Sequence, residues 1–151
     1  MIALGIDHGD ARIGVAASDA LGMLAHPVAT VPAQPPESAL RRLAEIFHER
    51  RAGHVVMGLP IRQDGTEGTA AEKVRKFAAR LAELLPAGTP VDFQDEYGST
   101  KSAAEQLSAS GRRMHRHRPV IDQAAAVVIL QDWLDARATA AQGIPPMAED
   151  F

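Results

Sequence analysis

Apolar and polar positions alternate from the start of the chain. Ile2, Leu4 and Ile6 take turns with Ala3, Gly5 and Asp7, the period of two that marks a β-strand. A Gly-containing turn follows, and Arg12–Ser18 reads as a second strand. The apolar stretch Met23–Val31, entered through Leu21-Gly22, predicts a third strand that completes a meander. Pro32, Pro35 and Pro36 then break the pattern. Leu40, Leu43, Ile46 and Phe47 recur at helical spacing, predicting a helix from Glu37 to Arg51. His54–Leu59 is a short continuous apolar run, as expected of a strand buried on both faces. A polar loop covers Ile61–Gly68. Thr69-Ala70-Ala71-Glu72 has the form of a capping box, and Val74, Phe77, Ala78, Leu81 and Leu84 carry that helix towards Pro86. Pro90–Gln94 predicts another strand, ended by Asp95-Glu96. A helix is expected from Ser99 or Thr100 to Gly111, and a last one from Ile121 to Arg137. Ala124, Ala125, Val128 and Leu134 are core-facing candidates on the last. Residues 139–151, with Gly143, Pro145 and Pro146, read as a loosely held tail on a domain of residues 1–138.

The order β-β-β-α-β-α-β-α-α has a specific implication. A three-strand meander followed by α/β units is the pattern of an RNase H-like domain. In such a domain a mixed sheet is covered by helices on both faces, and carboxylates converge at one rim. The 151 residues, 46% hydrophobic and 23% charged, suit one α/β domain with a full core. The absence of cysteine excludes disulfides and thiolate metal sites and suits a reducing compartment. No apolar run approaches the ~20 residues of a membrane span. No basic segment followed by an apolar one opens the chain, so a cytoplasmic location is expected.

The net charge of −3 weighs against a nucleic-acid binder unless positive charge is clustered. It is clustered: Arg112, Arg113, His115, Arg116, His117 and Arg118 follow Gly111 with no acid between them. Such a run is either a solvated loop or a flexible arm that neutralises phosphates.

Four segments are candidates for chemistry. Asp7 stands at the end of the first strand, at a sheet rim open to an ion or phosphate, followed by Gly9 in the turn. The same residues equally serve a plain hairpin turn. Gly58-Leu59-Pro60 with Asp64-Gly65-Thr66 ends a strand and turns towards a helix N-terminus, where free N–H groups could meet an anion. Asp95-Glu96 places adjacent carboxylates at a strand end, which is costly unless a cation or solvent screens them. Ser99 and Thr100 beside them could instead cap a helix. Asp122 is expected at the start of an apolar helix, where capping would be routine, and Ala124–Ala126 permits that helix to approach the sheet closely.

Together these blocks resemble the YqgF/RuvX family of pre-16S rRNA nucleases and Holliday-junction-resolvase-like proteins. The resemblance covers residues 2–136. It rests on Gly5-Ile6-Asp7-x-Gly9 with Arg12-Ile13-Gly14-Val15-Ala16, and on Gly58-Leu59-Pro60 with Asp64-Gly65-Thr66. Asp95-Glu96 with Ser99-Thr100, and Asp122 with Ala124-Ala125 and Ile129-Leu130, follow in the same order. One departure is clear: the family usually has Arg after the Asp-Glu pair, whereas this chain has Tyr97, then Gly98 where Leu is common. The missing cation could come from Arg12 or the basic run.

The resemblance implies a RuvC-like fold and a nuclease in which Asp7, Glu96 and Asp122 hold Mg²⁺ or Mn²⁺ and carry catalysis. Arg12, Arg112, Arg113, Arg116 and Arg118 would contact phosphates, with Gly9, Gly58, Pro60, Asp64, Asp95 and Thr100 in loops near the site. Precursor rRNA is the favoured substrate and branched DNA the alternative. A monomer or weak homodimer is expected. Two further readings stay open. One is a catalytically silent nucleic-acid-binding module, motivated by Tyr97. The other is a sugar-kinase or actin-like ATPase, whose first phosphate loop Asp7-x-Gly9 also resembles, although such enzymes need two domains.

Overall fold

In the computed structural model of the protein, residues 1–96 and 114–141 are described, the side chains of 114–120 and 141 excepted. Five strands, β1 (Ile2–His8), β2 (Arg12–Ser18), β3 (Ala25–Pro32), β4 (Ala52–Pro60) and β5 (Val91–Glu96), form one sheet in the order β3-β2-β1-β4-β5. β1, β2 and β3 pair antiparallel as a meander, whereas β4 and β5 join parallel to β1. Helices α1 (Pro36–Glu49) and α2 (Thr69–Leu84) supply the crossovers into the parallel strands, and α3 (Met114–Ala141) lies on the opposite face.

The side-chain period of the strands divides the core in two. Leu4, Ile6, Ile13, Val15, Val55 and Met57 point to α1 and α2, where Leu40, Leu43, Ile46, Val74, Phe77 and Leu81 meet them. Ala3, Ala16 and Val56 point the other way, to Ala126, Ile129, Leu130, Trp133 and Leu134 of α3. The residues on this second face are small because α3 lies close. At Gly5 a Cβ would come within 2.6 Å of the Leu130 Cβ, and at Gly14 it would fall on the Asp122 carbonyl oxygen. Glycines in β1 and β2 thus form the seat of α3.

Several expectations are corrected. The third strand starts later than Met23, because the Asp19 carboxylate accepts the Met23 N–H at 2.7 Å and so makes a turn; Met23 and Leu24 remain exposed. α1 ends at Glu49, and Arg51 adopts a left-handed φ of 55° where the chain reverses into β4. No capping box forms at Thr69, which is already helical; Gly68 precedes it with extended backbone and no side-chain cap. The last helix begins at Met114 rather than Ile121 and runs to Ala141, so part of the expected tail is helical. Ala125 and Leu134 are buried as expected, but Ala124 and Val128 face solvent. The helix expected between Ser99 and Gly111 lies outside the described residues.

Candidate active site

The site assembles at the rim where β1, β4 and β5 end. β1 delivers Asp7 on the α3 side of the sheet, and the next residue, His8, points to the other side, where its ring packs on Phe77 at 4.4 Å. Burial holds the His8 imidazole below its ordinary pKa; Lys73 adds to this and Asp10 opposes it. The turn to β2 closes through Gly9, whose N–H donates to the Arg12 carbonyl at 3.0 Å. A Cβ on Gly9 would stand 2.7 Å from that oxygen, which explains glycine at this position.

Glu96 ends β5, two strands from Asp7. The intervening strand carries Gly58 in register with that level: Ile6 pairs with Met57, and Pro60 with Glu96. A Cβ on Gly58 would lie 3.0 Å from the Glu96 Oε2. The Glu96 carboxylate therefore leans over Gly58, on the face that Asp7 shares. Strand alternation sends the neighbouring Asp95 to the opposite, exposed face, where its charge adds slightly to the rise that the Glu67 hydrogen bond gives the Arg75 guanidinium. The adjacent acids diverge, and only Glu96 belongs to the site.

Asp122 arrives from α3. It is an interior helical residue, not a cap, and its carboxylate accepts a hydrogen bond from Arg12 Nε at 3.1 Å. This pair is half-buried, with 31% and 21% of the two side chains exposed. Arg12, at the start of β2, thus places a cation beside the acids, the charge that the sequence lacks at Tyr97.

The site's electrostatics show at Asp7. Burial pushes the Asp7 carboxyl up to about 7, and the charges of Glu96 and Asp122 add to the shift. A buried carboxyl whose ionisation two neighbouring acids oppose suits a hard divalent cation, which favours its charged form. Among the described residues no three acidic or histidine side chains already stand at the spacing of a closed metal-ligand shell. The donor chemistry fits such an ion; closing around it would require the carboxylates to draw together.

The remaining candidates are dispersed. Asp64 makes a local turn: its Oδ1 accepts from the Thr66 N–H at 2.9 Å and from the Thr66 hydroxyl at 2.6 Å. Gly65 follows with a φ of 86°. Asp64 is a loop-former, and Pro60 ends β4 beside Glu96. Thr100, Tyr97, Arg112 and Arg113 lie outside the described residues. Positions 116 and 118 belong to the backbone of α3, so this part of the basic run is helical rather than a flexible arm.

Two features escaped the sequence reading. The triad Gly5, Gly14 and Gly58 shapes the seat of α3, and only the close approach of the helix reveals that role. At the far end of the sheet, buried His54 places Nε2 2.7 Å from Asp92 Oδ2 and its ring 4.5 Å from Trp133. His54 reads as one more residue of an apolar run, and its acidic partner is 38 positions away.

The family model RuvX, described as "Holliday junction resolvase", matches residues 1–136. A Streptomyces avermitilis protein named "Putative pre-16S rRNA nuclease" is 49% identical over 133 residues, covering 88% of this chain and 85% of that protein. A Myxococcus xanthus protein of the same name is 45% identical over 136 residues, covering 90% and 89%. Among solved structures, Thermus thermophilus RuvC in complex with a Holliday junction substrate superposes with a TM-score of 0.56 at 18% identity, over 91% of this chain and 96% of that one. The fowlpox virus Holliday junction resolvase gives 0.55 at 12% identity, over 90% and 99%. These structural likenesses establish a shared RNase H-like fold. From the match over nearly its whole length, and from the relatives that share almost half its residues, the chain belongs to the RuvX family.

Proposed function

We propose that the protein is a divalent-metal-dependent nuclease that processes the 5′ end of precursor 16S rRNA, with Asp7, Glu96 and Asp122 as its metal-holding acids. The observation that carries this reading is the convergence of the three acids at one rim, where burial and then the charges of Glu96 and Asp122 push Asp7 up to about 7. Mg²⁺ or Mn²⁺ held there would activate water and stabilise charge on the attacked phosphate. The chain's own residues set the conditions. Asp7 would be held in its charged form by such an ion. Gly58 leaves the space in which the Glu96 carboxylate lies, and the seat at Gly14 fixes the height of Asp122. Arg12 neutralises Asp122 and is placed to turn its remaining N–H donors to a phosphate. The Arg112–Arg118 run would add phosphate contacts that give affinity without sequence preference.

The RuvX description favours a second reading, resolution of branched DNA. Resolution requires paired cuts and therefore two sites in a symmetric dimer; trimming of an RNA end does not. The test presents wild type and Asp7→Asn with a precursor 16S RNA fragment and with a four-way DNA junction, in Mg²⁺ or Mn²⁺ and in chelator. The expected result is metal-dependent cleavage of the RNA by wild type alone. Paired symmetric nicks on the junction by a tight dimer would replace the first reading with the second. Nucleic-acid binding without any cleavage, unaffected by chelator, would indicate a silent binding module.

A further inference from the structure

We propose that the groove between the β1–β2 turn and α2 seats the sugar-phosphate backbone of the strand flanking the cleaved bond, with Lys73, Lys76 and Arg80 as its phosphate contacts. This inference rests on the nuclease reading and extends it to the opposite side of the rim. The groove encloses about 280 Å³, and its lining includes His8, Gly9, Asp10, Lys73, Lys76 and Arg80. It begins one residue beyond Asp7, because consecutive strand residues face opposite sides of the sheet. The packing of His8 on Phe77 fixes α2 against the strand that bears Asp7, so the groove holds a set position relative to the site.

Charge and spacing identify the occupant. The three cations lie at positions i, i+3 and i+7, which share one helix face. From Lys73 to Arg80 the helix rises roughly 10 Å, and α2 starts at the rim itself. The stripe therefore leads away from the acidic site as a polyanion passing over the rim would. In a chain of net charge −3, this is a local concentration of positive charge. The existing partners are weak competitors. Lys73 stands 3.6 Å from Asp10 Oδ1, with 58% and 87% of the side chains exposed, and Arg80 meets Glu37 at 3.2 Å on open surface. Exposed pairs of this kind contribute little. Lys76 makes no ion pair among the described residues. By contrast, Arg75, on another side of the same helix, is held by both oxygens of Glu67 and lies over Phe93, so it is not part of the stripe. Phe77 is buried and offers no stacking surface, so the groove would read backbone and not base.

The test uses the full chain, with a fluorescent single-stranded RNA in chelator to separate binding from cleavage. The triple variant Lys73→Gln/Lys76→Gln/Arg80→Gln should lower the slope of log affinity against log salt by about 2, from about 0.7 per phosphate contact. With metal present, hydrolysis of bis(p-nitrophenyl) phosphate, too small to reach the groove, should stay within about twofold of wild type. If the triple variant folds poorly by circular dichroism, Lys76→Gln alone should lower the slope by about 0.7. Normal RNA binding by wild type with an unchanged slope in the variants would overturn the groove and leave the nuclease reading intact. Loss of small-diester hydrolysis in the variants would overturn it too, since these residues would then serve the site itself. A wild type that neither binds RNA nor cleaves either substrate would remove the nuclease reading and the groove with it.

Discussion

Replacing Asp7 by Asn should make the metal-free protein more stable while abolishing cleavage. Asp7 is half-buried at the rim and faces Glu96 and Asp122, and its carboxyl is pushed from 3.8 to about 7. A carboxyl whose pKa is raised by folding contributes its full stability below the unfolded value, and that contribution is lost as pH rises through the folded value. At about 1.36 kcal/mol per tenfold change in proton affinity, the ceiling of the loss is ~4 kcal/mol. Water reaches a rim site, so the realised figure should be nearer ~2 kcal/mol. For a chain of this length that corresponds to roughly 4–8 °C in Tm. Asn keeps the shape and cannot ionise. The stability gap between variant and wild type should therefore be near zero at pH 4, widen through pH 5 and 6, and level off above pH 7. Urea denaturation followed by far-UV circular dichroism, in chelator across that range, measures it. Adding Mg²⁺ or Mn²⁺ should stabilise wild type and not the variant. A gap that does not change with pH, or a variant less stable than wild type at pH 8, would refute the claim that burial and the neighbouring charges raise the Asp7 carboxyl.

Two further predictions concern the neighbours of Asp7. Gly14→Ala places a methyl group on the Asp122 carbonyl, so α3 must rise from the sheet; a cost of about 1–3 kcal/mol is expected, with kcat reduced by about 100-fold through the displaced acid. Denaturation curves and single-turnover cleavage check it, and an unchanged midpoint would show that the helix shifts freely. Arg12→Gln leaves Asp122 without its cation at 3.1 Å and should cost about 1–3 kcal/mol at pH 8 in chelator. Arg12→Gln/Asp122→Asn should recover most of that loss, and strict additivity in the double-mutant cycle would dismiss the pair as a contributor.

The sheet was legible in the sequence because strand signals at this rim are local. Ile2, Leu4 and Ile6 alternate, β4 is an unbroken apolar run, and β2 falls where it was expected. Asp7 at the end of β1 and Glu96 at the end of β5 follow directly from those strands. The start of α3 was not legible. Pro119 suggests a break, and the charges before it look like loop, yet the helix passes through from Met114. Asp122 is accordingly expected at the start of that helix, where capping would be routine, and is an interior residue. Long-range partners left even less trace. The pairing of Arg12 with Asp122 spans 110 positions, and no residue pattern near either one announces the other. The same holds for Gly14, whose role is visible only once α3 lies on it. Lys73, Lys76 and Arg80 read as the ordinary solvated face of an amphipathic helix, and only the packing of α2 beside Asp7 gives their spacing a direction.

The length of α3 changes how the site should be understood. A flexible basic arm would bind phosphate independently of the acids. A helix that includes positions 116 and 118 in the same rod as Asp122 couples them: positions 118 and 122 are one turn apart. That rod is set down on β1 and β2 at Gly5 and Gly14, while Gly58 of β4 accommodates both Ile129 and Glu96. One packing interface therefore fixes the acid, part of the basic run and the space for the second acid together. The apolar residues on it, Ala126, Ile129 and Leu130, are almost wholly buried, so the seat has little freedom to settle elsewhere. A tight α3 contact and the placement of the proposed acids then rest on the same glycines, and a change that loosens one should loosen the other.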